Sequence, residues 1–459
     1  FIQMPKQMIQ AIVRSEEKFV RQDATQRAPF FSSKNKGDSF AIETEYVKAL
    51  QASKMEKMFS KPFVAAPCDH MDGVLHLCTS NRDYNQVFSG SADGTIKMSA
   101  FNSTFETFSM QAHRGMVTGL QQSANLLLST GVDQFVNFYD ISSKQFALTH
   151  QQRLTQTPRA LAISGQDKYA IGCEELMIYD VSKYDPIYTI SKSCSFLQFS
   201  KTDHNLLGAI DNINLSVIDT RTQQSGIGIT TLARQNQFSF NPFQPHQVIV
   251  GTDDAYAYAF DLRSPQRALD RYGGLSYPII SLDISPDGQR LALGSNQGTI
   301  QLYKIATVSR KGDVQQSTLN KRINEGIEAA RAKAYNFAVR YYDMYHNQRM
   351  AQVNALRFTA DSYYVVSGSE EGTVRVWKTL ASQFEKTLNN VELQQTTLNK
   401  QLSYKFQNVG EINKIKNSRH LPKKILHQKQ RMEIHDQSQL KKLEKRGERA
   451  HGLDVVRKE

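Results

Sequence analysis

The residues best suited to chemistry in this chain are cations that gather in one short stretch. Between Asn413 and Arg431 the sequence holds seven lysines and arginines and no aspartate or glutamate. Lysine and arginine donate hydrogen bonds to phosphate oxygens, and an arginine can donate two in parallel. Pro422, in the middle of the stretch, suits the first turn of a helix. The pattern therefore predicts a basic helical element that contacts a polyanion.

The excess positive charge belongs to the end of the chain. The whole sequence has a formal net charge of +12, and residues 381–459 contain 17 Lys/Arg against 9 Asp/Glu. Such a region favours a nucleic-acid partner, and binding through phosphate contacts should weaken steeply with salt. A solvated basic face and a nuclear-import signal are the alternative interpretations. The predicted nucleic-acid-binding residues are Lys414, Lys416, Arg419, His420, Lys423, Lys424, Lys429, Arg431, Lys441, Lys442, Lys445 and Arg446.

Motifs for catalysis and for metal binding are missing from the sequence. It contains no Gly-rich phosphate loop followed by Lys and Ser/Thr, no His-Glu-x-x-His and no nucleophile elbow. The histidines are scattered, and Cys68, Cys78, Cys173 and Cys194 lack metal-ligand spacing. We therefore predict no enzymatic activity, no cofactor, no metal and no small-molecule substrate. No apolar run comes near the roughly 18 residues of a membrane span, so no membrane partner is expected.

A repeated pattern of two strands accounts for most of the chain before the basic region. Its clearest copy has a turn at Glu371–Gly372 and an alternating second strand that ends near Trp377, the only tryptophan. Earlier copies place other residues at the position of Trp377, namely Ser99, Tyr139, Tyr179, Ile218, Phe260 and Tyr303. The copies recur about every 40 residues, with about 30 extra residues before the last, and this period is typical of WD repeats. Seven copies predict an all-β, seven-bladed WD40 β-propeller.

The remaining sequence divides around this propeller. The predicted segments are a polar N-terminal arm at 1–40, a short helix at 41–61, the propeller at 62–380 with a helical insertion at 306–345 between blades six and seven, and a basic helical C-terminal domain at 381–459. The short helix is expected to place Tyr46, Leu50, Met55, Met58 and Phe59 on one apolar side. The strand that begins at Phe63 is expected to close the ring against the last blade.

Two histidines precede the turns of the first two blades. We expect His70 to hydrogen-bond the turn aspartate Asp93, and His113 to hydrogen-bond Asp133. Such a network stabilises the fold, so these histidines are interpreted as structural.

Three segments of the sequence resemble the suppressor-of-fibrillarin family of WD-repeat proteins. They are Glu45–Ala66 before the first blade, Tyr345–Met350 before the last, and Ser418–Lys423 in the basic stretch. The resemblance implies a non-catalytic component of the nucleolar small-subunit processome, which processes ribosomal RNA with a box C/D guide ribonucleoprotein. The implied partners are pre-ribosomal RNA, the guide snoRNP and other processome proteins, and the implied location is the nucleus and nucleolus.

Two other functions fit parts of the sequence. Animal members of the family that this chain resembles are also described as substrate receptors of a cullin-RING ubiquitin ligase, and such receptors have Trp-Asp-x-Arg at blade ends. Asp219 and Arg221, and likewise Asp261 and Arg263, keep the Asp-x-Arg part. These four residues are the predicted adaptor site, although each Asp and Arg could instead pair between blades. A chromatin-associated WD40 scaffold fits the charge but not the three family-like segments.

Overall fold

The computed structural model contains seven four-stranded antiparallel sheets, which confirms the predicted seven-bladed propeller. The structure describes residues 41–418, apart from 81–82, 101–107, 124, 142–145, 166–167, 182–185, 223, 274–276, 306–338, 340 and 383–388, and after residue 418 it describes 423, 426–427, 430–431, 434, 438 and 441. These residues belong to two compact units. The helical unit is formed by 41–61 and 381–418, and the second unit contains the propeller, 62–380, and the described residues after 418.

Each blade is one sheet whose strands follow one another along the chain. After β1 (Phe63–Asp69), the first three blades consist of β2 (Val74–Thr79), β3 (Gln86–Ser91), β4 (Thr95–Ala100), β5 (Phe108–Gln111), β6 (Val117–Ser123), β7 (Leu126–Gly131), β8 (Phe135–Asp140), β9 (Ala147–Arg153), β10 (Ala160–Ser164), β11 (Lys168–Gly172), β12 (Leu176–Asp180) and β13 (Pro186–Ile190). The next three consist of β14 (Phe196–Phe199), β15 (Leu206–Asp211), β16 (Asn214–Asp219), β17 (Gln224–Thr230), β18 (Gln235–Phe240), β19 (Gln247–Thr252), β20 (Tyr256–Asp261), β21 (Ser264–Gly273), β22 (Ile279–Ile284), β23 (Arg290–Ser295), β24 (Thr299–Lys304) and β25 (Asp343–His346). The seventh blade contains β26 (Val353–Phe358), β27 (Tyr364–Ser369), β28 (Thr373–Lys378) and β1.

The first strands of neighbouring blades contact one another in sequence, from β2 and β6 round to β26 and β2, so they surround a central axis. The cores lie between adjacent sheets, where the second and third strands are largely buried. Outer strands such as β9 and β13 are largely exposed. Each sheet thus buries most of both faces against its neighbours, and its outer edge meets solvent.

The ring closes where β1 pairs with β28. The pairing is antiparallel and aligns Phe63 with Trp377 and Cys68 with Val374. This confirms the expectation that the strand beginning at Phe63 completes the last blade. The two ends of the propeller are therefore joined by backbone hydrogen bonds, including one of 2.8 Å from Lys378 N–H to the Pro62 carbonyl.

Trp377 anchors this closure. Its ring stacks on Tyr345 of the sixth blade at 5.6 Å between centroids and meets the edge of Phe63 at 5.5 Å. Its Nε1–H donates to the Ser367 hydroxyl at 2.9 Å. The six predicted equivalents of Trp377 all occupy the last position but one of a third strand. The repeat register read from the sequence is therefore confirmed.

The two structural histidines form related but different networks. His113 Nδ1 lies 3.0 Å from Asp133 Oδ1, as expected, and His113 Nε2 also lies 2.8 Å from the Ser129 hydroxyl. His70 instead contacts the Thr95 hydroxyl at 2.9 Å, and Thr95 donates to Asp93 at 2.5 Å. The direct distance from His70 Nδ1 to Asp93 is 3.9 Å. In the first blade the threonine therefore bridges the predicted pair.

The insertion predicted at 306–345 is placed differently from the expectation. Residues 306–338, which contain most of the predicted helix, lie outside the described residues. The structure assigns β25 (Asp343–His346) to the outer edge of the sixth blade, where it pairs with β24. The insertion therefore lies within blade six, between its third and fourth strands, and not between blades six and seven. Its end is extended because β24 needs an outer partner for its backbone groups.

The helical unit combines residues from both sides of the propeller in sequence. Its helices are α1 (Ala41–Phe59), α2 (Asn390–Lys405) and α3 (Gly410–Asn417). Ala49, Leu402 and Ile412 form its buried core. The ring of Tyr46 packs against the edge of Phe406 at 5.9 Å. This small core is what holds α3 in a fixed orientation.

The apolar side predicted for α1 is only partly right. Tyr46 and Leu50 pack against the core, but Met55, Met58 and Phe59 are 54% to 68% exposed. The buried face continues instead through Ala49 and Ser53. Small side chains let α2 approach closely, and the Ser53 and Ser403 hydroxyl oxygens lie 3.5 Å apart. Close helix packing therefore decided the buried face, and side-chain hydrophobicity alone did not predict it.

The buried histidines predict an acid-sensitive propeller. Burial lowers the pKa of His70 from 6.5 to about 4, and the positive charge of Lys97 lowers it further. Burial also lowers the pKa of His113, although the negative charge of Asp133 acts in the opposite direction. As the pH falls below about 6.5, the unfolded chain binds protons before the folded chain does. The stability that the neutral histidines contribute is therefore fully present above about pH 6.5 and is lost as the pH falls towards 4. For His70 alone we expect a loss of about 2 kcal/mol between pH 7.5 and 5.0.

The measurement is the free energy of unfolding in urea at both pH values for the natural protein and His70→Gln. The variant should lose clearly less stability on acidification. The exposed His246, changed to Gln, serves as the matched control and should keep the natural pH dependence. An equal loss in His70→Gln and in the natural protein would contradict the assignment.

A second prediction concerns the core of the helical unit. Changing the buried Ile412 to Ala should cost about 2–5 kcal/mol, because it removes the packing of α3 against Ala49 and Leu402. Backbone hydrogen exchange in α1, α2 and α3 should accelerate by at least about 30-fold, with propeller strands unchanged. The exposed Val391, changed to Ala, is the control. If α1 kept its protection in Ile412→Ala, the proposed packing would be wrong.

Candidate nucleic-acid interface

The predicted phosphate-binding cations begin on α3. Ile412 is fully buried in the helical unit, whereas Lys414 and Lys416 are exposed on the same helix. Lys416 Nζ also donates to the backbone carbonyl of Ser403 at 3.1 Å, near the C-terminal end of α2. A lysine at this end satisfies a helix carbonyl and complements the helix dipole. Lys416 therefore has a structural contact in addition to its exposure.

More of the predicted cations lie on a further helical stretch. Every residue that the structure describes between 423 and 441 is helical, and Lys423, Arg431 and Lys441 are exposed. The described positions are 423, 426, 427, 430, 431, 434, 438 and 441. Three of them are lysine or arginine and none is an aspartate or glutamate, so the described positions carry an uncompensated positive charge.

The remaining predicted residues of this interface lie outside the described residues. They are Arg419, His420, Lys424, Lys429, Lys442, Lys445 and Arg446. The structure therefore places Lys414 and Lys416 on one helix, α3, and shows Lys423, Arg431 and Lys441 at exposed helical positions. Five such cations are enough to contact several phosphates of a nucleic-acid backbone.

The contacts of α1 with α2 and α3, next to the cationic region, were not predicted from the sequence. Glu45 Oε2 lies 2.5 Å from Lys405 Nζ, and the Tyr46 hydroxyl donates to Glu411 at 2.6 Å. This hydrogen bond to Glu411 raises the pKa of Tyr46. Glu45 and Glu411 are therefore each bonded to another residue of the helical unit. No spacing in the sequence signals such pairs, because their partners are separated by about 360 residues.

The predicted adaptor residues form two similar turns at the ends of β16 and β20. Asp219 Oδ1 accepts from the Arg221 backbone N–H at 2.9 Å, and the Arg221 guanidinium donates to Asp219 Oδ2 at 3.2 Å. These hydrogen bonds hold the pKa of Asp219 below its usual value. Asp261 accepts from the Arg263 backbone N–H at 3.0 Å. The described pairs therefore form within one turn, and not between blades as the alternative supposed.

Both arginines of these turns are exposed. The Arg221 side chain is 70% exposed despite its ion pair, and Arg263 is also exposed. They follow the third strands of two consecutive blades, so they lie at the same end of adjacent sheets. An exposed surface ion pair stabilises the fold little. This end of blades four and five therefore offers two guanidinium groups to a partner.

The described part of the chain contains neither a metal-binding cluster nor a membrane-spanning helix. No group of three or more of its His, Cys, Asp and Glu side chains is placed to hold a metal ion. All four cysteines are buried free thiols. None of the described helices is both long enough and apolar enough to cross a membrane.

Comparisons with known proteins find matches in the repeats and in the C-terminal region. Residues 380–458 match the Sof1-like domain, and residues 64–98 and 344–378 match the WD domain, G-beta repeat. The chain is 27% identical to Protein SOF1 of Saccharomyces cerevisiae, over 91% of this chain and 86% of that protein. It is 24% identical to DDB1- and CUL4-associated factor 13 of Danio rerio, over 90% of this chain and 88% of that protein.

A shorter match covers part of a second yeast relative. The chain is 29% identical to Protein sof1 of Schizosaccharomyces pombe, over 54% of this chain and 58% of that protein. The repeat matches fall on the first and last blades, which the ring closure joins, and the C-terminal match contains every predicted nucleic-acid-binding residue. The chain therefore combines segments that match WD repeats with a segment, residues 380–458, that matches the Sof1-like domain.

Proposed function

We propose that the protein is a non-catalytic assembly factor in ribosome biogenesis, which binds pre-ribosomal RNA through its Sof1-like domain. One observation carries this proposal: the segment that matches the Sof1-like domain, residues 380–458, is also the segment with most of the excess positive charge. The similarity to Protein SOF1 over 91% of the chain supports the same role. The proposed location is the nucleus, and within it the nucleolus.

The charge distribution favours the C-terminal domain over the propeller as the RNA-binding part. The chain has a net charge of +12, and the excess of eight in residues 381–459 leaves only four for the first 380 residues. Phosphate contacts are electrostatic and do not depend on base sequence. The described cations Lys414, Lys423, Arg431 and Lys441 are exposed. The proposed domain thus holds RNA by its backbone and reads no sequence.

The propeller has a different proposed role. Its rigid ring presents many loops at its two ends, and propellers of this kind serve many unrelated functions. We assign to it the contacts with other proteins of the small-subunit processome and with the box C/D guide snoRNP. The protein would then connect RNA and proteins during rRNA processing without performing a reaction.

Neutralising the described tail cations should weaken RNA binding. The variant combines Lys414→Gln, Lys423→Gln, Arg431→Gln and Lys441→Gln, all at exposed positions. Removing one phosphate-binding cation should reduce the slope of log Kd against log salt concentration by about 0.7–0.9. For the fourfold variant the slope should fall by about 3 and affinity by at least about tenfold at low salt. The measurement is a filter-binding titration with a pre-ribosomal RNA transcript at several salt concentrations.

The matched control neutralises the same number of exposed cations on the propeller. It combines Arg153→Gln, Lys201→Gln, Arg234→Gln and Arg267→Gln. This variant should keep the natural salt slope. If the control lost as much affinity as the tail variant, binding would depend on total charge and not on the Sof1-like domain.

A second candidate function is supported by the two Asp-x-Arg turns. Several relatives are named DDB1- and CUL4-associated factor 13, and exposed arginines frequently dominate protein interfaces. Under this hypothesis the Arg221 and Arg263 guanidinium groups contact the adaptor DDB1. The protein would then present substrates to a cullin-RING ubiquitin ligase.

The double variant Arg221→Ala and Arg263→Ala tests that hypothesis by co-purification with DDB1. Recovery of DDB1 should fall at least about fivefold, since each arginine at an interface centre contributes more than about 1 kcal/mol. The control changes Arg114 and Arg234 to Ala, two exposed arginines at the opposite end of their blades. Unchanged recovery from the double variant would remove these turns as the adaptor site.

A further inference from the structure

The first strands of the propeller enclose two connected cavities along its axis. The inner cavity has a volume of about 170 Å³ and is lined by residues of all seven blades. The outer cavity has a volume of about 450 Å³ and opens at the end where β1 and β2 are connected. Leu75, His76, Thr118, Arg159 and Asn354 line both cavities. The two spaces therefore form one axial funnel, which narrows from the outer cavity to the inner one.

The funnel is electropositive. Arg159 lines both of its parts, and Arg357 lines the inner one. Glu174 and Glu175 lie on the turn after β11, but among the described lining residues there is no aspartate or glutamate. An anionic group that entered the funnel would therefore meet guanidinium groups and no carboxylate among the described lining residues, although the buried Asp283 lies behind Arg357.

The two arginines differ in how far they are already paired. Arg357 Nε donates to the Leu77 carbonyl at 3.4 Å, and Arg357 Nη1 lies 3.5 Å from the buried carboxylate of Asp283. Asp283 also accepts from Phe358 N–H at 2.8 Å, so this pair belongs to the wall. Within the described part of the chain, Arg159 hydrogen-bonds only through its backbone N–H, to the Gly172 carbonyl. Its guanidinium group is thus available to a ligand.

The outer cavity adds an apolar surface beside this cation. Met116 and Val132 line it and are 44% and 41% exposed. Val117 and Pro158 complete the apolar wall. Ligand sites usually combine such an apolar lining with a few fixed polar groups. The outer cavity has both features.

The lining also distinguishes a peptide from a nucleic acid. Single-stranded nucleic acids bind chiefly by stacking bases on aromatic side chains. No phenylalanine, tyrosine or tryptophan is among the described residues that line the outer cavity. Aliphatic side chains beside one arginine suit an aliphatic residue next to a carboxylate. This charge complementarity selects an acidic, aliphatic segment of a protein.

We propose that the axial funnel binds a short segment of a partner protein in which an aspartate or glutamate adjoins an aliphatic residue. The carboxylate pairs with the Arg159 guanidinium, and the aliphatic side chain packs against Met116 and Val132. Thr118 and Thr157, which line the same cavity, supply hydroxyls for the peptide backbone. This interaction is independent of the proposed RNA-binding role of the Sof1-like domain.

The test selects peptides from a phage-displayed library of random dodecapeptides on the full-length protein. Enriched peptides should contain Asp or Glu beside Leu, Ile, Val or Met. In fluorescence anisotropy, Arg159→Glu should weaken the best peptide at least about tenfold, because it reverses the charge that pairs with the carboxylate. The control Arg153→Glu, at an exposed position on the outer strand β9, should change affinity by less than about twofold. Enrichment without acidic residues, or equal affinity in Arg159→Glu, would overturn the proposal.

A second measurement locates the bound peptide without relying on a loss of affinity. The four native cysteines are at most 7% exposed, so Met116→Cys introduces one accessible thiol at the funnel. The selected peptide should slow its labelling by a maleimide dye. Labelling that is unaffected by saturating peptide would place binding elsewhere. If an oligouridylate slowed labelling and no peptide did, the funnel would be a nucleic-acid site and the peptide proposal would be wrong.

Discussion

The pairing of β1 with β28 is the constraint on which the rest of the structure depends. The seventh sheet is complete only when an outer strand pairs with β28, and here that strand comes from the N-terminal side of the propeller. The pairing aligns Phe63 with Trp377, so the chain enters and leaves the propeller at the same blade. Strand pairing of this kind satisfies backbone groups that would otherwise offer an edge to other chains.

The helical unit is itself built from segments that are distant in sequence. α1 ends at Phe59 and α2 begins at Asn390, more than 300 residues later. The two helices share the buried core of Ala49, Leu402 and Ile412. That core fixes α3, on which the cationic stretch begins. The described start of the basic region therefore depends on packing between segments from both sides of the repeats in sequence.

Much of the fold could be predicted because the repeats encode it locally. Alternating strands and the residues equivalent to Trp377 recur in each blade. A turn glycine recurs in three of them, as Gly94, Gly298 and Gly372, and Gly372 has the positive φ of +87° that its turn requires. What could not be predicted depends on contacts between distant residues. The exposed Met58 and Phe59, and the assignment of β25 to the sixth blade, follow from which partner reaches a helix face or a strand edge.

In the candidate sites too, locally encoded features could be predicted and contacts that only the fold creates could not. Exposed cations such as Lys423 and Arg431 were predictable from composition, because an unpaired charge stays in solvent. The ion pair of Lys405 with Glu45 and the pairing of Asp219 with Arg221 inside one turn were not. The axial funnel has no signature in sequence, because each blade contributes only one to four of its lining residues. Arg159 and Arg357 are almost 200 residues apart in sequence, and only the fold brings them to the same axis.

The separation of tasks between a closed propeller and a cationic C-terminal domain can be tested directly in cells. Ultraviolet crosslinking of the natural protein to RNA, followed by mass spectrometry of the crosslinked peptides, locates the bound segments. The account predicts that crosslinks concentrate within residues 410–450 and that the attached RNA is pre-ribosomal. Crosslinks confined to the propeller blades, with none in residues 410–450, would contradict it.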